Sequence, residues 1–142
     1  MRDQALQLEV RSTPKLGRPA ISPEETTLQL IYHAFNARDM DALEALLTED
    51  VHWPKGWESG HLEGRKAVRQ YWLRQWNWIE PSMTPTRFRP LADGSIEVTV
   101  HQVVWDLGGS LLSNAPVTHT YSFRDGLVAA MVIGEPDGVR GG

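Results

Sequence analysis

Hydrophobic residues recur at helical spacing in the first half of the chain, beginning just after Ser22. Ser22 is followed by Pro23 and, three residues on, by Glu25, which is the pattern of a capping box with proline at the first helical position. Apolar side chains then fall on one stripe, three or four residues apart. This pattern predicts an amphipathic helix over residues 23–39, with a break from 36 to 39.

Two further helices and one short strand are predicted before residue 80. The segment 39–50 begins with acidic residues and places three leucines on one face, which predicts a second helix. Residues 51–54 predict a short strand that a proline ends. Apolar and aromatic residues share one broad face over 64–79, which predicts a third helix, and Pro81 and Pro85 forbid its continuation.

The period changes from helical to alternating after residue 85. Apolar and polar residues alternate over 94–107, over 117–123 and over 127–134, which predicts three strands. The Gly-Gly pair at 108–109 and the Asp-Gly pair at 125–126 are hairpin signals. Three helices interrupted by one strand and followed by antiparallel strands predict an α+β domain, with the helices on one face of a curved sheet.

Composition and charge narrow the class of protein. The 142 residues suit one domain, which we expect over 22–134, with a flexible arm over 1–21 and a loose tail over 135–142. The net charge of −4 argues against a general affinity for nucleic acid, and the apolar runs are too short to cross a bilayer. The absence of cysteine excludes disulfides and thiolate sites. The first residues lack the apolar core of a signal peptide, so a cytoplasmic location is the default expectation.

Three phrases of the sequence resemble the nuclear transport factor 2-like superfamily, in its SnoaL-like and ketosteroid-isomerase-like branch: FNARDMDALEALLTEDVHW, GRKAVRQYW and TYSFRDGLVAAM. The resemblance covers nearly the whole predicted domain. It implies a cone-shaped (cystatin-like) fold with three N-terminal helices on a curved, mainly antiparallel sheet, a deep apolar pocket, and a homodimer joined through the outer sheet face. Members include isomerases, polyketide cyclases, dehydratases, epoxide hydrolases and non-catalytic adaptors, so the fold alone does not choose a function.

The catalytic pattern of the ketosteroid isomerases is mostly absent. That family places an aspartate base just before the proline of the first strand, where this chain has Trp53. The position of its oxyanion-hole tyrosine holds Ile31, and Tyr32 is one residue, or about 100°, around the helix. The position of its second oxyanion donor, a protonated aspartate, holds His119. Steroid isomerisation by that mechanism is therefore not expected.

His119 is the first candidate for chemistry. It alternates in phase with Tyr121 and Phe123, so we expect its ring to point into the cone, where an imidazole can act as an acid or base. The alternative is a core histidine bonded to a neighbouring tyrosine or a backbone carbonyl. Tyr121 and Tyr32 are expected either to donate hydroxyl hydrogen bonds to a ligand or to pack as core residues.

Two polar residues on the predicted inner face of strand 94–107 are further candidates. Gln102 shares that face with valines, and burial without a partner would be costly, so we expect it to bond a ligand, a water or His119. Asp106 is on the same face and is the only inward carboxylate there that could serve as a base. It also precedes the Gly-Gly turn, and the alternative is a role in that turn.

Apolar and aromatic residues are expected to line the pocket and contact the substrate: Trp53, Trp57, Trp72, Trp76, Ile31 and Phe35. The helical spacing of Trp72 and Trp76 equally suits plain core packing. A metal site at His52 and His61 is conceivable but has no helical spacing to support it, so no metal and no cofactor are predicted.

The sequence thus favours a cofactor-independent isomerase, cyclase or dehydratase that acts on a small hydrophobic, flat or polycyclic molecule. His119, Asp106 and Tyr32 are its predicted catalytic residues. The alternative is a non-catalytic ligand-binding or structural homodimer of the same fold.

Overall fold

The computed structural model describes residues 22–55 and 60–134 of the chain. The predicted arm over 1–21, the predicted tail over 135–142 and Trp57 lie outside these described residues. No helix within the two described ranges is long and apolar enough to span a membrane.

Three helices and six strands make up the described fold. The helices are α1 (Pro23–Asn36), α2 (Met40–Glu44) and α3 (Arg65–Gln75). The strands are β1 (Leu47–Pro54), β2 (His61–Glu63), β3 (Ile79–Pro90), β4 (Ile96–Asp106), β5 (Leu111–Arg124) and β6 (Leu127–Gly134). They form one sheet in the order β2-β1-β6-β5-β4-β3, in which only the β1–β6 pair is parallel. The predicted α+β cone, with helices on a curved and mainly antiparallel sheet, is confirmed.

Helix α1 begins as the sequence predicts. The Ser22 hydroxyl accepts a hydrogen bond from the backbone N–H of Glu25 at 3.1 Å, which satisfies one of the free N–H groups of the first turn. Its apolar stripe, including Ile31, Tyr32 and Phe35, is buried against the sheet. The predicted break after Asn36 is also present, because the chain turns through Arg38 with a φ of 60°.

The alternating second half of the chain is confirmed by the sheet. β6 has the predicted bounds, and Asp125 and Gly126 adopt φ values of 54° and 81° in the preceding turn, as a tight hairpin requires. β5 is twice the predicted length, since the ladder with β4 continues as far as Leu111. The inward positions of β4, such as Val98 and Val100, are fully buried.

The second predicted helix is largely wrong. α2 contains only five residues, and the segment from Leu47 onward is strand instead of helix. Leu47 and His52 pair with Val128 and Ala130 of β6, so hydrogen bonds to a distant strand override the local helical pattern. As a result β1 is longer than predicted and lies between β2 and β6 in the sheet.

The third predicted helix ends too late, and the strand after it was missed. α3 ends at Gln75, and β3 then runs for 12 residues through Pro81 and Pro85. In the sequence these prolines indicate only the end of a helix. β3 lies at the edge of the sheet, however, where a residue without an N–H is tolerated.

The Asn36 side chain fastens the end of α1 to this edge strand. Its amide nitrogen donates to the backbone carbonyl of Met83 at 2.7 Å, and its amide oxygen accepts from the N–H of Met83 at 2.9 Å. The amide therefore satisfies both backbone groups of one residue on the open edge. This contact holds Met83 opposite α1.

His61 lies in β2, the other edge strand of the sheet. It pairs with Pro54, and Trp53 pairs with Leu62. The short β1–β2 ladder fixes the end of β1, where Trp53 turns towards the core and is 6% exposed.

Candidate functional site

A largely apolar cavity of about 240 Å³ lies between α1, α3 and the inner face of the sheet. Most of its lining is aliphatic or aromatic: Ile31, Phe35, Leu43, Trp53, Pro54, Trp72, Met83, Val117, Met131 and Ile133. The remaining lining residues carry polar groups: Tyr32, Gln102, His119 and Tyr121. No carboxylate is among the described residues that line it.

Three of the polar residues form a buried hydrogen-bonded chain at one end of the cavity. The hydroxyl of Tyr121 donates to the hydroxyl oxygen of Tyr32 at 2.8 Å, and the Tyr32 hydroxyl lies 2.8 Å from Nδ1 of His119. The Tyr121 hydroxyl is also 3.5 Å from the same Nδ1. The side chains come from α1 and β5, so the fold joins residues that are far apart in sequence.

Burial controls the protonation of this chain. His119 is 2% exposed, and loss of solvent lowers its pKa from 6.5 to about 4, so the imidazole is neutral at pH 7. Burial likewise raises the pKa of Tyr32 and that of Tyr121 well above their usual range, and in Tyr32 the neighbouring Tyr121 adds to the effect. All three groups are therefore uncharged at neutral pH.

The two ring nitrogens of His119 have different surroundings. Nδ1 contacts the tyrosine hydroxyls, whereas Nε2 has no hydrogen-bond partner among residues 22–55 and 60–134. The ring lies nearly parallel to that of Tyr32, with 5.9 Å between centroids and 5° between planes. His119 thus meets the apolar cavity with one ring nitrogen unused.

Aromatic rings build much of the remaining wall. Trp53 lies 6.2 Å from the ring of Tyr121, and Phe35 meets Trp72 edge to face at 4.9 Å. Trp53 therefore lines the cavity at the position where the isomerases carry a base. Trp76, which was predicted to line the cavity, does not. Its ring packs against Phe35 outside the cavity lining, and the guanidinium carbon of Arg38 lies 5.3 Å from its ring centroid.

Gln102 is placed on the cavity wall as predicted. It is half-buried, and its side-chain amide has no protein hydrogen-bond partner within the described ranges. The predicted bond to His119 is not formed. Gln102 pairs with Ala115, whereas His119 pairs with Val98, so the two lie four residues apart along the β4–β5 ladder.

Asp106 does not reach the cavity, and its predicted inward carboxylate is wrong. The carboxylate accepts hydrogen bonds from the backbone N–H groups of Gly108 and Ser110, both at 2.9 Å. These bonds close the turn between β4 and β5. Asp106 therefore has the alternative role that the sequence left open, in which it stabilises the turn.

His52 and His61, the pair considered for a metal site, lie outside the cavity. The rings of His52 and His61 lie 4.4 Å apart, and Nδ1 of His52 is 3.5 Å from a carboxylate oxygen of Glu63, on the outer surface of β1 and β2. Within the part of the chain that the structure describes, no group of three or more histidine or acidic side chains could hold a metal ion.

A family profile for the SnoaL-like domain matches residues 28–131, which is more than half of the chain. The chain belongs to the SnoaL-like domain family. The resemblance of its sequence to that branch of the superfamily is thereby confirmed. A search among curated proteins finds no match.

Three solved structures have a similar fold. A nuclear transport factor 2-like protein of unknown function from Burkholderia pseudomallei is 22% identical, with a TM-score of 0.71, over 82% of this chain and 92% of that one. TerC, crystallised with polyporic acid, is 20% identical, with a TM-score of 0.70, over 81% and 92%. RV0760c from Mycobacterium tuberculosis, in complex with estradiol-17β-hemisuccinate, is 20% identical, with a TM-score of 0.69, over 78% and 92%.

Several cavity residues of this SnoaL-like domain were not predicted as site residues: Leu43, Pro54, Met83, Val117, Met131 and Ile133. Val117 alternates in phase with His119, and Met131 and Ile133 alternate along β6, so the period of two could have identified them. Met83 lies in the strand hidden by prolines, and no sequence signal of comparable strength points to it.

Proposed function

We propose that this SnoaL-like domain binds a small, flat, largely apolar molecule in the cavity and catalyses proton-transfer chemistry on it without a cofactor. The observation that carries the proposal is the buried, neutral His119 on the cavity wall, whose Nε2 has no hydrogen-bond partner among the described residues. A small polar cluster at one end of a largely apolar cavity suits a ligand that carries a polar atom at the matching position.

The size of the cavity supports a ligand of one or two rings. An apolar cavity of roughly 150 Å³ is enough to hold benzene, and this cavity of about 240 Å³ is larger by more than half. By proportion, a molecule with on the order of ten ring atoms would fill it. A steroid-sized ligand would extend out of the mouth. The structures of TerC with polyporic acid and RV0760c with an estradiol derivative support hydrophobic ring compounds as the class to test.

The proposed reaction is an isomerisation, a ring closure or a dehydration. Each can pass through a state in which negative charge develops on a substrate oxygen, and a preorganised donor in a dry cavity stabilises that charge. His119 would contact the oxygen, with Tyr32 and Tyr121 holding its ring in place. Gln102 would bind a second polar atom of the ligand, four residues from His119 along the β4–β5 ladder.

A non-catalytic binding protein is the second candidate. It is favoured by the absence of any carboxylate among the described cavity residues and by the low pKa of His119, which makes its imidazole a weak base. Turnover of a bound ligand would exclude this candidate. Tight binding with no turnover would favour it over the enzyme.

A thermal-shift screen against aromatic ketones, terpenoids and small polycyclic compounds tests binding first. A compound at 100 times its dissociation constant should stabilise the fold by about 2.7 kcal/mol, a shift on the order of 10 °C. His119→Ala should abolish turnover of the hit, and the matched control His101→Ala, on the exposed outer face, should retain it. The proposal fails if no compound in the set stabilises the protein, or if His119→Ala turns over the hit at the wild-type rate.

We also propose that two copies pair through the outer face of the sheet. Trp105 and Val132 lie on that face, and Val132 is 61% exposed in the single chain. Light scattering should give twice the 16.0 kDa chain mass for the wild type and a single chain mass for Val132→Glu. Leu30→Glu, on the exposed side of α1, is the control that should leave the dimer intact. A wild-type protein that stays monomeric would refute the pairing.

A further inference from the structure

Tyr32, His119 and Tyr121 form the polar cluster at one end of the cavity. We propose that Met83, further along the cavity, limits the length of the ligand that fits between it and this cluster. Asn36 is then a positioning residue, because it holds the backbone of Met83. The inference rests on the proposed function, since it needs a ligand whose polar atom lies at the cluster, and it narrows the substrate class to molecules of one or two rings.

The strand register places Met83 away from the polar cluster. Met83 pairs with Gln102 of β4, whereas His119 pairs with Val98 of the same strand. Gln102 and Val98 are four residues apart, which is roughly 13 Å along a strand. Because Met83 and His119 both line the cavity, the cavity extends along the sheet between these two levels. A ligand with its polar atom at the cluster therefore has its apolar end near Met83.

The backbone of Met83 shows which way its side chain is turned. The Asn36 amide contacts the N–H of Met83 at 2.9 Å and its carbonyl at 2.7 Å, so both groups point away from β4. Met83 and Gln102 are therefore a non-hydrogen-bonded pair, in which the two side chains lie close together on one face of the sheet. Met83 is 8% exposed, and no other residue of β3 lines the cavity. Its side chain alone closes the cavity on the β3 side.

Asn36 fixes the separation between this wall and α1. Pro81, Met83 and Pro85 occupy alternate positions along the open edge of β3, and the prolines have no N–H. The N–H of Met83 is therefore the one outward donor of this stretch, and Asn36 accepts it. Arg38, just beyond the end of α1, donates to the carbonyl of Pro81 at 3.1 Å. These contacts join the end of α1 to the strand that carries Met83.

Met131, the other methionine of the cavity wall, lies at the level of the polar cluster. It pairs with Tyr121 in the β5–β6 ladder. Shortening Met131 would therefore open space beside the polar atom of the ligand, whereas shortening Met83 would open space at its apolar end. The two methionines allow the same chemical change to be made at two levels of one cavity.

The cavity volume sets the size of the expected change. An apolar cavity of roughly 150 Å³ holds benzene, which is about 25 Å³ for each ring atom. Met83→Ala removes three heavy atoms, so by the same proportion it would add about 75 Å³ to the cavity of about 240 Å³. The wild type then suits a skeleton of about ten ring atoms, and Met83→Ala suits one of about thirteen.

Calorimetric titration with 2-naphthol and 2-hydroxyfluorene tests the length limit. Their ring skeletons have these two sizes, and each carries one hydroxyl, which can donate to the polar cluster or accept from it. We expect the wild type to bind 2-naphthol about tenfold more tightly, because the third ring overpacks the wall at Met83. Met83→Ala should reverse this preference, and the control Met131→Ala should keep it. If Met83→Ala does not fold, Met83→Val, which also shortens the side chain, serves for the same test.

Asn36→Ala tests the positioning role through the ratio of the two dissociation constants, which a general loss of stability does not change. Without the amide, the end of α1 is no longer held to the backbone of Met83, and the wild-type preference for 2-naphthol should fall from about tenfold towards one. The control Asp106→Ala removes hydrogen bonds from a turn outside the cavity, so it should keep the wild-type ratio. A wild-type ratio in Asn36→Ala would refute the positioning role.

Separate outcomes overturn the inference and the proposed function. A wild type that binds both compounds equally tightly, or a Met83→Ala variant that keeps the wild-type preference, would refute the length limit while the proposed binding of apolar rings stands. A reversal in Met131→Ala as large as that in Met83→Ala would also refute it, because volume alone would then decide the fit. If neither the wild type nor Met83→Ala binds either compound, the proposed function fails for ligands of this size, and the length limit fails with it.

Discussion

The burial of His119 predicts that the stability of the protein falls as the pH is lowered from 6.5 to 4. In the folded state its pKa is about 4, whereas an unfolded chain should show the ordinary 6.5. Between these two values the unfolded state binds a proton that the folded state does not. The free energy of unfolding therefore rises with pH across this window. The part of it that His119 contributes is lost as the pH falls through the window.

The two pKa values set the size of the effect. The difference between a pKa of about 4 and one of 6.5 corresponds to about 3 kcal/mol of unfolding free energy contributed by His119. This contribution is fully lost only near pH 4. Asp50 and Asp93 have carboxyl pKa values held low, by hydrogen bonds to Arg124 and Ser95 respectively. Their contributions to the free energy of unfolding are fully present above the ordinary carboxyl pKa, and they are lost only as the pH falls below that value. The loss between pH 6.5 and 4.5 should therefore come mainly from His119.

Urea unfolding followed by circular dichroism at half-unit steps from pH 7.5 to 4.5 measures this linkage. The wild type should lose on the order of 2 to 3 kcal/mol across the range. His119→Gln, which cannot titrate, should be less stable than the wild type at pH 7.5 and nearly flat with pH, so the two curves converge. The exposed variant His33→Gln should follow the wild-type curve. A flat wild-type curve, or an equal slope in His119→Gln, would refute the buried and neutral His119.

Three further predictions concern individual side chains of the fold. Asn36→Ala should lower the free energy of unfolding by about 2 kcal/mol in urea titrations, because both hydrogen bonds to the β3 backbone are lost. An unchanged urea midpoint would show that these bonds do not stabilise the edge strand. Asp106→Ala should lower the free energy of unfolding by about 1 kcal/mol, because the turn between β4 and β5 loses the hydrogen bonds to the carboxylate. Ligand affinity should not change, and a loss of binding would contradict the position of Asp106 outside the cavity. The raised pKa values of Tyr32 and Tyr121 mean that only the unfolded chain loses their protons near pH 10. Their contribution to the free energy of unfolding is therefore fully present below pH 10 and is lost as the pH rises above it. Their tyrosinate absorbance should appear together with unfolding, and absorbance that precedes unfolding would contradict their burial.

Features decided by neighbouring residues could be predicted from the sequence. The capped start of α1 at Ser22 and the bounds of β6 were predicted because their signals lie within a few residues of the elements. The inward orientation of His119 follows from the period of two along β5. Its place in the cavity was expected from this period together with the cone-shaped fold that the family resemblance implies.

Features decided by distant residues could not be predicted in the same way. The strand from Leu47 exists because β6, some 80 residues later, pairs with it. β3 was hidden because its prolines are harmless only at a sheet edge, and nothing local shows where the edge is. The bond between Tyr32 and His119 joins positions 87 residues apart. The sequence suggested the residues, and the fold decided which atoms meet.

The central claim is that a ligand in the apolar cavity contacts Nε2 of His119. Nitrogen NMR of the wild type during titration with the tightest compound from the thermal-shift screen tests this claim most directly. We predict that the Nε2 resonance of His119 moves in proportion to bound ligand, while those of the exposed His33 and His101 stay fixed. Saturation with no change at His119 would contradict the claim.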